Sequence, residues 1–379
     1  MKNKWIYLLS SLFLLSCLET RKEKVVSAES VSIPIFDINS NISNSVPDTF
    51  TWNSIAKHVQ LIPLSSSILL GASPQLVYLS DEFILIKDNQ LGRLYSFDST
   101  GKLKYSFRHE GNGPGEYVNL SFTRFNKNDS TIIVLDSGNK VLLYSLEGKC
   151  INEIIIKDKN WSHLCLLDED GVLYTKNTTG NALVSVLDKE YNISKNYFAF
   201  DSSATRRQKI NLNFTSNKSN TIDAYLLNKA REDTVYTIDK SGVNPLCVLK
   251  KGDHILSEEN VEQIMRMPFE NDYITYTSID AFSDYLLFRY LWRGKFIVEL
   301  WNNTKQDKIA NSTLIQPNQY SGLEGGFNYV FDSGNKIRLL PGYVTKKRLA
   351  FFLPSEKCAS ELKNLKEDDN PVLMIMDLK

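Results

Sequence analysis

Phe83-Ile-Leu-Ile-Lys-Asp88, the run from Leu91 to Asp98, the pair Gly101-Lys102 and the run from Leu103 to Arg108, closing on Gly111-Asn-Gly-Pro-Gly-Glu-Tyr117, decide the fold. Short runs rich in β-branched and aromatic residues, punctuated by Gly, Asn and Asp, read as strands joined by tight turns. Working outward, strands are expected near 75–80, 82–88, 91–98 and 102–109, then near 118–126, 130–136, 140–147 and 149–156. Asp88 and Asp136 both end a second strand, 48 positions apart, and Gly101 and Gly148 both turn a third strand into a fourth, 47 apart. Four strands repeating every 40 to 50 residues or so is the signature of a propeller blade.

The pattern continues in a third set near 161–168, 170–176, 182–188 and 191–200, a fourth over about 210–250, and a fifth near 273–281, 284–292, 295–302 and 308–315. From Phe327 onward only two or three strands are legible, with Leu349 to Leu353 and Val372 to Asp377 the clearest. That last set is one strand short, and His58-Val-Gln-Leu-Ile-Pro-Leu64 supplies the missing strand, so that the two chain ends close the ring and protect its edges. The expected fold is therefore an all-β, six-bladed β-propeller, with seven blades as the alternative. Two short helical insertions are expected, Glu258–Met265 and Glu356–Lys363, each following a serine suited to capping. Asp136-Ser-Gly-Asn-Lys140 recurs as Asp332-Ser-Gly-Asn-Lys336, and both read as hairpin turns.

Composition fits such a body. Hydrophobic residues make up 42% and aromatics 11%, ample for a core. Lysine plus arginine equals aspartate plus glutamate at 44 each, which removes the basic footprint of a nucleic-acid binder. The N-terminus carries Lys2 and Lys4 and then an apolar run from Trp5 to Leu15, too short to span a membrane and flanked like a secretory signal. The charged and Ser/Asn-rich stretch that follows, to about Asp48, reads as a tether. The expected organisation is a signal peptide over 1–16, a tether over 17–48 and the propeller over 49–379.

Leu14-Leu15-Ser16-Cys17 resembles the bacterial lipobox. That resemblance implies cleavage before Cys17, lipid on its thiol and lasting attachment to a membrane. Leu18 stands where an inner-membrane retention aspartate would, so an outer-membrane lipoprotein of the cell envelope is expected. The remaining Cys150, Cys165, Cys247 and Cys358 allow three pairings, although Cys165 and Cys247 lie in apolar runs where a free thiol acts as a small buried hydrophobe. Neither Cys-x-x-Cys spacing nor grouped histidines support zinc.

Together with Val59-Gln-Leu-Ile-Pro-Leu64, Leu94-Tyr-Ser-Phe-Asp98, the Gly-Pro-Gly-Glu corner, Asp233-Thr-Val-Tyr236 and Asp369-Asn-Pro-Val-Leu373, the lipobox makes this chain resemble the six-bladed β-propeller lipoproteins of Bacteroidota, related in shape to NHL-repeat propellers. The resemblance implies a fold and a location more than a reaction.

Two groups of residues are candidates for function. Arg108, His109, Glu110, Glu116 and Tyr117 flank the glycine corner, which in a propeller leads across the face around the funnel. A histidine and two carboxylates there suit acid–base attack on a glycan, for which carboxyl groups about 5 to 9.5 Å apart suffice. The reading favoured for the same residues is a rigid turn, with Gly111, Gly113 and Gly115 supplying unusual backbone angles, Pro114 stiffening the chain and Glu116 accepting from backbone amides. The second group is aromatic and basic: Arg289, Trp292 and Arg293 among Tyr273, Tyr276, Tyr285, Tyr290 and Trp301, a set able to stack on sugars or peptides or to pack between blades. Asp88-Asn89, Asp136-Ser-Gly-Asn139 and Asp332-Ser-Gly-Asn335 lack the oxygen density that calcium needs, so no metal or cofactor is expected. No Gly-x-Ser-x-Gly elbow, phosphate-binding loop or His-Glu-x-x-His motif is present. The expectation is a non-catalytic module that binds a glycan, peptide or protein partner, with a polysaccharide lyase, glycosidase or lactonase as the alternative.

Overall fold

The computed structural model describes residues 33–42, 49–72, 74–120, 122–136, 140–155, 163–165, 172–174, 182–187, 193–199, 215–219, 224–228, 232–239, 242–257, 260, 271–315 and 324–379. The compact body spans Pro34–Lys379. The expected signal peptide and Cys17 lie outside the described residues.

Strand β1 (Ile35–Asp37) and helix α1 (Ile38–Asn41) come first, then β2 (Ala56–Pro63). The first blade is the sheet β3 (Pro74–Leu79), β4 (Phe83–Asp88), β5 (Arg93–Asp98) and β6 (Leu103–Phe107), paired in that order. The second is β7 (Phe122–Asn126), β8 (Thr131–Asp136), β9 (Lys140–Tyr144) and β10 (Cys150–Ile155). Two separate ribbons follow, β11 (His163–Cys165) with β12 (Val172–Tyr174) and β13 (Ala182–Leu187) with β14 (Ile193–Ala199). Next comes the sheet β15 (Thr215–Ser219), β16 (Ala224–Asn228), β17 (Thr234–Asp239) and β18 (Gly242–Lys250), which takes β1 as a fifth, parallel strand. Then comes β19 (Thr275–Phe282), β20 (Tyr285–Trp292), β21 (Lys295–Asn302) and β22 (Lys308–Leu314). After the lone hairpin β23 (Phe327–Val330) and β24 (Lys336–Leu339), the closing sheet is β25 (Tyr343–Val344), β26 (Arg348–Leu353) and β27 (Val372–Leu378), with β2 on its outer side.

This is an all-β propeller arrangement, but among the described residues it has five blades, neither six nor seven. The expected third set is described only as its two hairpins, β11 with β12, each three residues long, and β13 with β14. No ladder joins the two ribbons among the described residues. Among the described residues helix is also scarce. Most of the first insertion, Glu258–Met265, falls outside the described residues, and the second shrinks to one turn, α2 (Ser355–Cys358). Pro354, not Ser355, sits at its N-cap, and the Ser355 hydroxyl instead donates to the Glu367 carbonyl at 2.6 Å.

The alternation that marked the strands distributes side chains between two interfaces. In β4, Ile84 and Ile86 pack with Leu373 and Ile375 of the closing blade, whereas Leu85 packs with Ile132, Val134 and Tyr144 of the second blade. A strand covered on both faces reads as a continuous apolar run, as Phe83–Ile86 does. First strands of neighbouring blades lie against one another, β3 on β7, β15 on β19 and β19 on β25, and so form the inner wall.

The chain ends meet in the closing blade. Ile62 stands opposite Leu373 and Gln60 opposite Ile375, and the Lys379 N–H donates to the Ile55 carbonyl at 3.0 Å. Gly101 (φ 84°) presses this seam from the first blade. Its carbonyl accepts the Ser65 N–H at 2.8 Å, and a Cβ placed there would lie 2.2 Å from the Pro63 carbonyl oxygen. Upstream, within the stretch read as tether, Phe36 is fully buried, with ring centroids 5.4 Å from Phe288 and 5.7 Å from Trp301.

Candidate functional site

The corner between β6 and β7 is held together by its own polar groups. The Tyr117 N–H donates to the His109 carbonyl at 2.8 Å, and the Gly111 N–H to the Tyr117 carbonyl at 2.9 Å. The fully buried Tyr117 hydroxyl accepts the His109 N–H at 3.0 Å and donates to the Gly92 carbonyl at 2.8 Å, pinning the corner to the β4–β5 turn. Burial holds this phenol above its ordinary range. Glu116 accepts the Gly113 N–H at 2.8 Å. A Cβ on Gly111 would lie 2.0 Å from the same carboxylate, so glycine is the residue that lets Glu116 fold back. Glu153 of β10 accepts the Gly115 N–H at 2.5 Å, and the Tyr144 hydroxyl donates to the Gly115 carbonyl at 2.8 Å.

His109 stacks on Tyr144, with ring planes 8° apart and centroids at 5.5 Å, and its Nε2 lies 2.7 Å from the Gly148 carbonyl oxygen. A carbonyl only accepts, so Nε2 carries the proton there. Glu110 forms an ion pair with Arg108, Nε to Oε2 at 2.9 Å, with both side chains about half exposed. The candidate acid–base set is thus engaged: His109, Glu116 and Tyr117 by the main chain, and Glu110 by an arginine.

The repeated aspartates have the same kind of role. Asp88, fully buried, accepts the Gly71 N–H at 2.5 Å and the Leu91 N–H at 3.0 Å. Asp136, also buried, accepts the Val118 and Asn119 N–H groups at 3.0 Å each. In both blades a carboxylate at the end of the second strand ties down the loop that leads into the first. Asp332–Asn335 is a hairpin turn with Gly334 at φ 89°, while Ser137–Asn139 lies outside the described residues. No cluster of three or more metal-ligating side chains exists among the described residues.

The aromatic group divides between core and surface. Tyr290 and Trp301 are buried and donate to Glu299, at 3.0 and 2.9 Å, and Glu299 also meets Lys308 at 3.3 Å. Burial raises the Glu299 carboxyl above its ordinary range. Arg289 pairs with Asp280 at 2.7 Å and donates to the Pro341 carbonyl at 3.1 Å, linking β20 to the loop before β25. Trp292 and Arg293, at the β20–β21 turn, reach the surface. The Arg293 guanidinium lies 4.7 Å over the Trp292 ring and pairs with Asp272, whose carboxyl it holds below the usual carboxylate range. His254 meets Trp292 edge-on at 5.6 Å. Trp292, Arg293, His254 and Asp272 therefore form a ledge, and the buried Trp292 Nε1 has no hydrogen-bond partner. The Tyr276 side chain lies outside the described residues.

One cluster had no local signal in the sequence. At the seam, Arg348 Nε meets Asp377 at 2.8 Å and its Nη1 meets Asp81 at 2.9 Å, with His58 Nδ1 3.7 Å from the other Asp377 oxygen. Asp81 and Arg348 are 267 positions apart, so only closure of the ring brings them together.

Residues 33–377 match a domain of unknown function, DUF4934, which is nearly the whole described body. The chain belongs to the DUF4934 family. No curated protein matches this DUF4934 chain. Among solved structures, a protein of Bacteroides fragilis NCTC 9343 described as exported is 16% identical, with 87% of this chain and 97% of that one covered at a TM-score of 0.64. A member of the DUF4221 family from Bacteroides vulgatus ATCC 8482 is 10% identical over 86% and 97% of the two chains, at a TM-score of 0.49. Virginiamycin B lyase from Staphylococcus aureus is 9% identical over 84% and 99%, at 0.43. At such identities the first likeness speaks for the fold alone, and the other two carry no argument. No helix among the described residues is long and apolar enough to cross a membrane.

The three described cysteines, Cys150, Cys247 and Cys358, are free, and burial pushes the Cys247 thiol up to about 12 and the Cys358 thiol up to about 11. The Cys165 side chain lies outside the described residues.

Proposed function

We propose that this DUF4934 protein is an exported envelope lipoprotein, anchored through Cys17, whose propeller binds a glycan, peptide or protein partner without transforming it. The observation that carries this reading is the occupation of the acid–base candidates. A general base must be able to present its lone pair to a substrate proton. His109 is held by its Nε2–H on the Gly148 carbonyl and by stacking on Tyr144, and Glu116 by the Gly113 N–H, so both serve the turn. The Trp292–Arg293 ledge adds an arginine stacked on an aromatic ring at the surface, residue types that binding surfaces favour.

The test uses the mature chain with panels of host and plant glycans and of peptides, following thermal shift and released reducing ends together. Binding without turnover is expected, with Glu110→Gln and Glu116→Gln leaving it unchanged. Turnover that disappears in either variant would overturn the reading in favour of a glycan-active enzyme.

A further inference from the structure

A cavity of about 450 Å³ opens at one end of the closing blade, and Lys57, His58, Lys347, Arg348 and Asp377 are among the residues that line it. Three adjacent strands build it. On β27, Asp377 stands opposite His58 of β2 on one side and opposite Arg348 of β26 on the other. Lys347 precedes Arg348 in the tight turn between β25 and β26, which the Thr345 N–H closes on the Arg348 carbonyl at 2.8 Å.

The two basic neighbours on β2 share the cavity for a specific reason. Consecutive side chains of a regular strand point to opposite faces. Here the ladder skips one residue: Ala56 pairs with Leu378 and His58 with Asp377, so Lys57 is the extra residue of a β-bulge. A bulge re-aims the side chains around it, and Lys57 and His58 both line the cavity.

Charge then selects the ligand. Lys57, Lys347 and Arg348 set three cations against one lining carboxylate, Asp377, a surplus of two before His58 is counted. The whole chain is balanced at 44 basic and 44 acidic residues, so the surplus is local. Asp377 is already committed, to Arg348 at 2.8 Å and to His58 at 3.7 Å. Asp81, the other partner of Arg348, does not line the cavity, and its side chain is 88% exposed. That leaves the Lys57 and Lys347 ammonium groups, which make no hydrogen bond or ion pair among the described residues. A concave site lined by one sign of charge concentrates its counter-ions. Each ammonium donates up to three hydrogen bonds and accepts none, so the complementary ligand is anionic and rich in acceptors.

A neutral ligand leaves both charges unmatched, and a monocarboxylate matches one. A phosphate monoester, with a charge of about −1.5 to −2 at pH 7, matches both. We infer that this cavity binds a phosphate monoester group, contacted by Lys57 and Lys347. The inference goes beyond the proposed binding of a glycan, peptide or protein, and it uses no residue of the Trp292–Arg293 ledge.

The experiment titrates the full mature chain by calorimetry at fixed ionic strength with inorganic phosphate, glycerol phosphate and acetate. Co-sedimentation with vesicles of phosphatidylcholine, alone or equimolar with phosphatidic acid, presents the same group on a lipid. Binding to glycerol phosphate or to the phosphatidic acid vesicles is expected, with acetate weaker than inorganic phosphate. Whichever of the two binds names the source of the group. Lys57→Gln and Lys347→Gln should each weaken that binding about tenfold. Lys363→Gln, which removes the same charge from an exposed position outside the cavity, should leave it unchanged. Thermal melts of the three variants separate lost binding from lost fold. Equal weakening by all three would overturn the site in favour of diffuse surface charge, and so would binding that survives both cavity substitutions. Failure of every phosphate probe to bind would overturn the inference and leave the binding-module reading to its own glycan and peptide panels.

Discussion

Gly101→Ala and Gly334→Ala form a matched pair that measures what the seam contributes to stability. Both glycines have nearly the same backbone angle, φ 84° and 89°, so both substitutions carry the same conformational penalty, about 1–2 kcal/mol. Their surroundings differ. Around Gly334 no atom lies within 4 Å of the added Cβ, whereas at Gly101 the Cβ would sit 2.2 Å from the Pro63 carbonyl oxygen and 2.8 Å from Ile62 Cγ2. Relief requires the β5–β6 turn to retreat by about an ångström, which stretches the Ser65–Gly101 hydrogen bond, worth about 1 kcal/mol, and opens tightly packed apolar surface. We expect Gly334→Ala to cost about 1–2 kcal/mol and Gly101→Ala about 3–5 kcal/mol, read as midpoints of urea unfolding with the slope unchanged. Equal losses in the two variants would refute the claim that the first blade clamps the closing strand.

Other perturbations follow from burial. Lys87 is 7% exposed, and burial, with Arg124 nearby, brings its ammonium down to about 8; burial brings Lys251 to about the same value. The unfolded chain keeps its lysine protons up to about pH 10.5, so between pH 8 and 10.5 it binds more protons than the folded chain and stability rises with pH. Lys87→Met should stabilise the protein at pH 7 by about 1–3 kcal/mol and remove about half of that rise; an unchanged pH slope would contradict it. Phe36→Ala should cost about 3 kcal/mol and speed amide exchange over Ile35–Asp37, as followed by mass spectrometry, since the buried ring anchors this strand between Phe288 and Trp301. In the corner, Gly111→Ala should destabilise far more than Glu116→Gln, which keeps an acceptor for the Gly113 N–H; the reverse order in thermal melts would count against the clamp.

What could be read from the chain depended on how local the signal was. Phe83–Asp88 and Thr131–Asp136 announced themselves because strands buried on both faces carry continuous apolar runs, here residues 83–86 and 132–135, and the turns at Gly101 and Gly148 because each needs a positive φ. Asp88 and Asp136 were legible as a period but not as acceptors for incoming loops, since their partners lie 17 and 18 positions away in segments with no motif. Ile35–Asp37 escaped notice because a three-residue strand added in parallel has no alternation to detect. Blade number failed in the third set, whose first two strands are only three residues long. The corner residues were correctly singled out as unusual, yet their spacing could not distinguish a reactive group from one holding a turn. The seam charges lay beyond any local reading, because Arg348 meets Asp81 only when the two ends of the chain meet.

The placement of β2 against β27 sets the order in which this molecule can be completed. Ile62 emerges from synthesis about 300 residues before its ladder partner Leu373, a separation of the kind that slows folding. Until Val372–Leu378 has been delivered, β2 remains an unpaired edge open to wrong partners. A nonsense codon at Val372 would therefore cost the protein its closure as surely as a deletion at the start of the body.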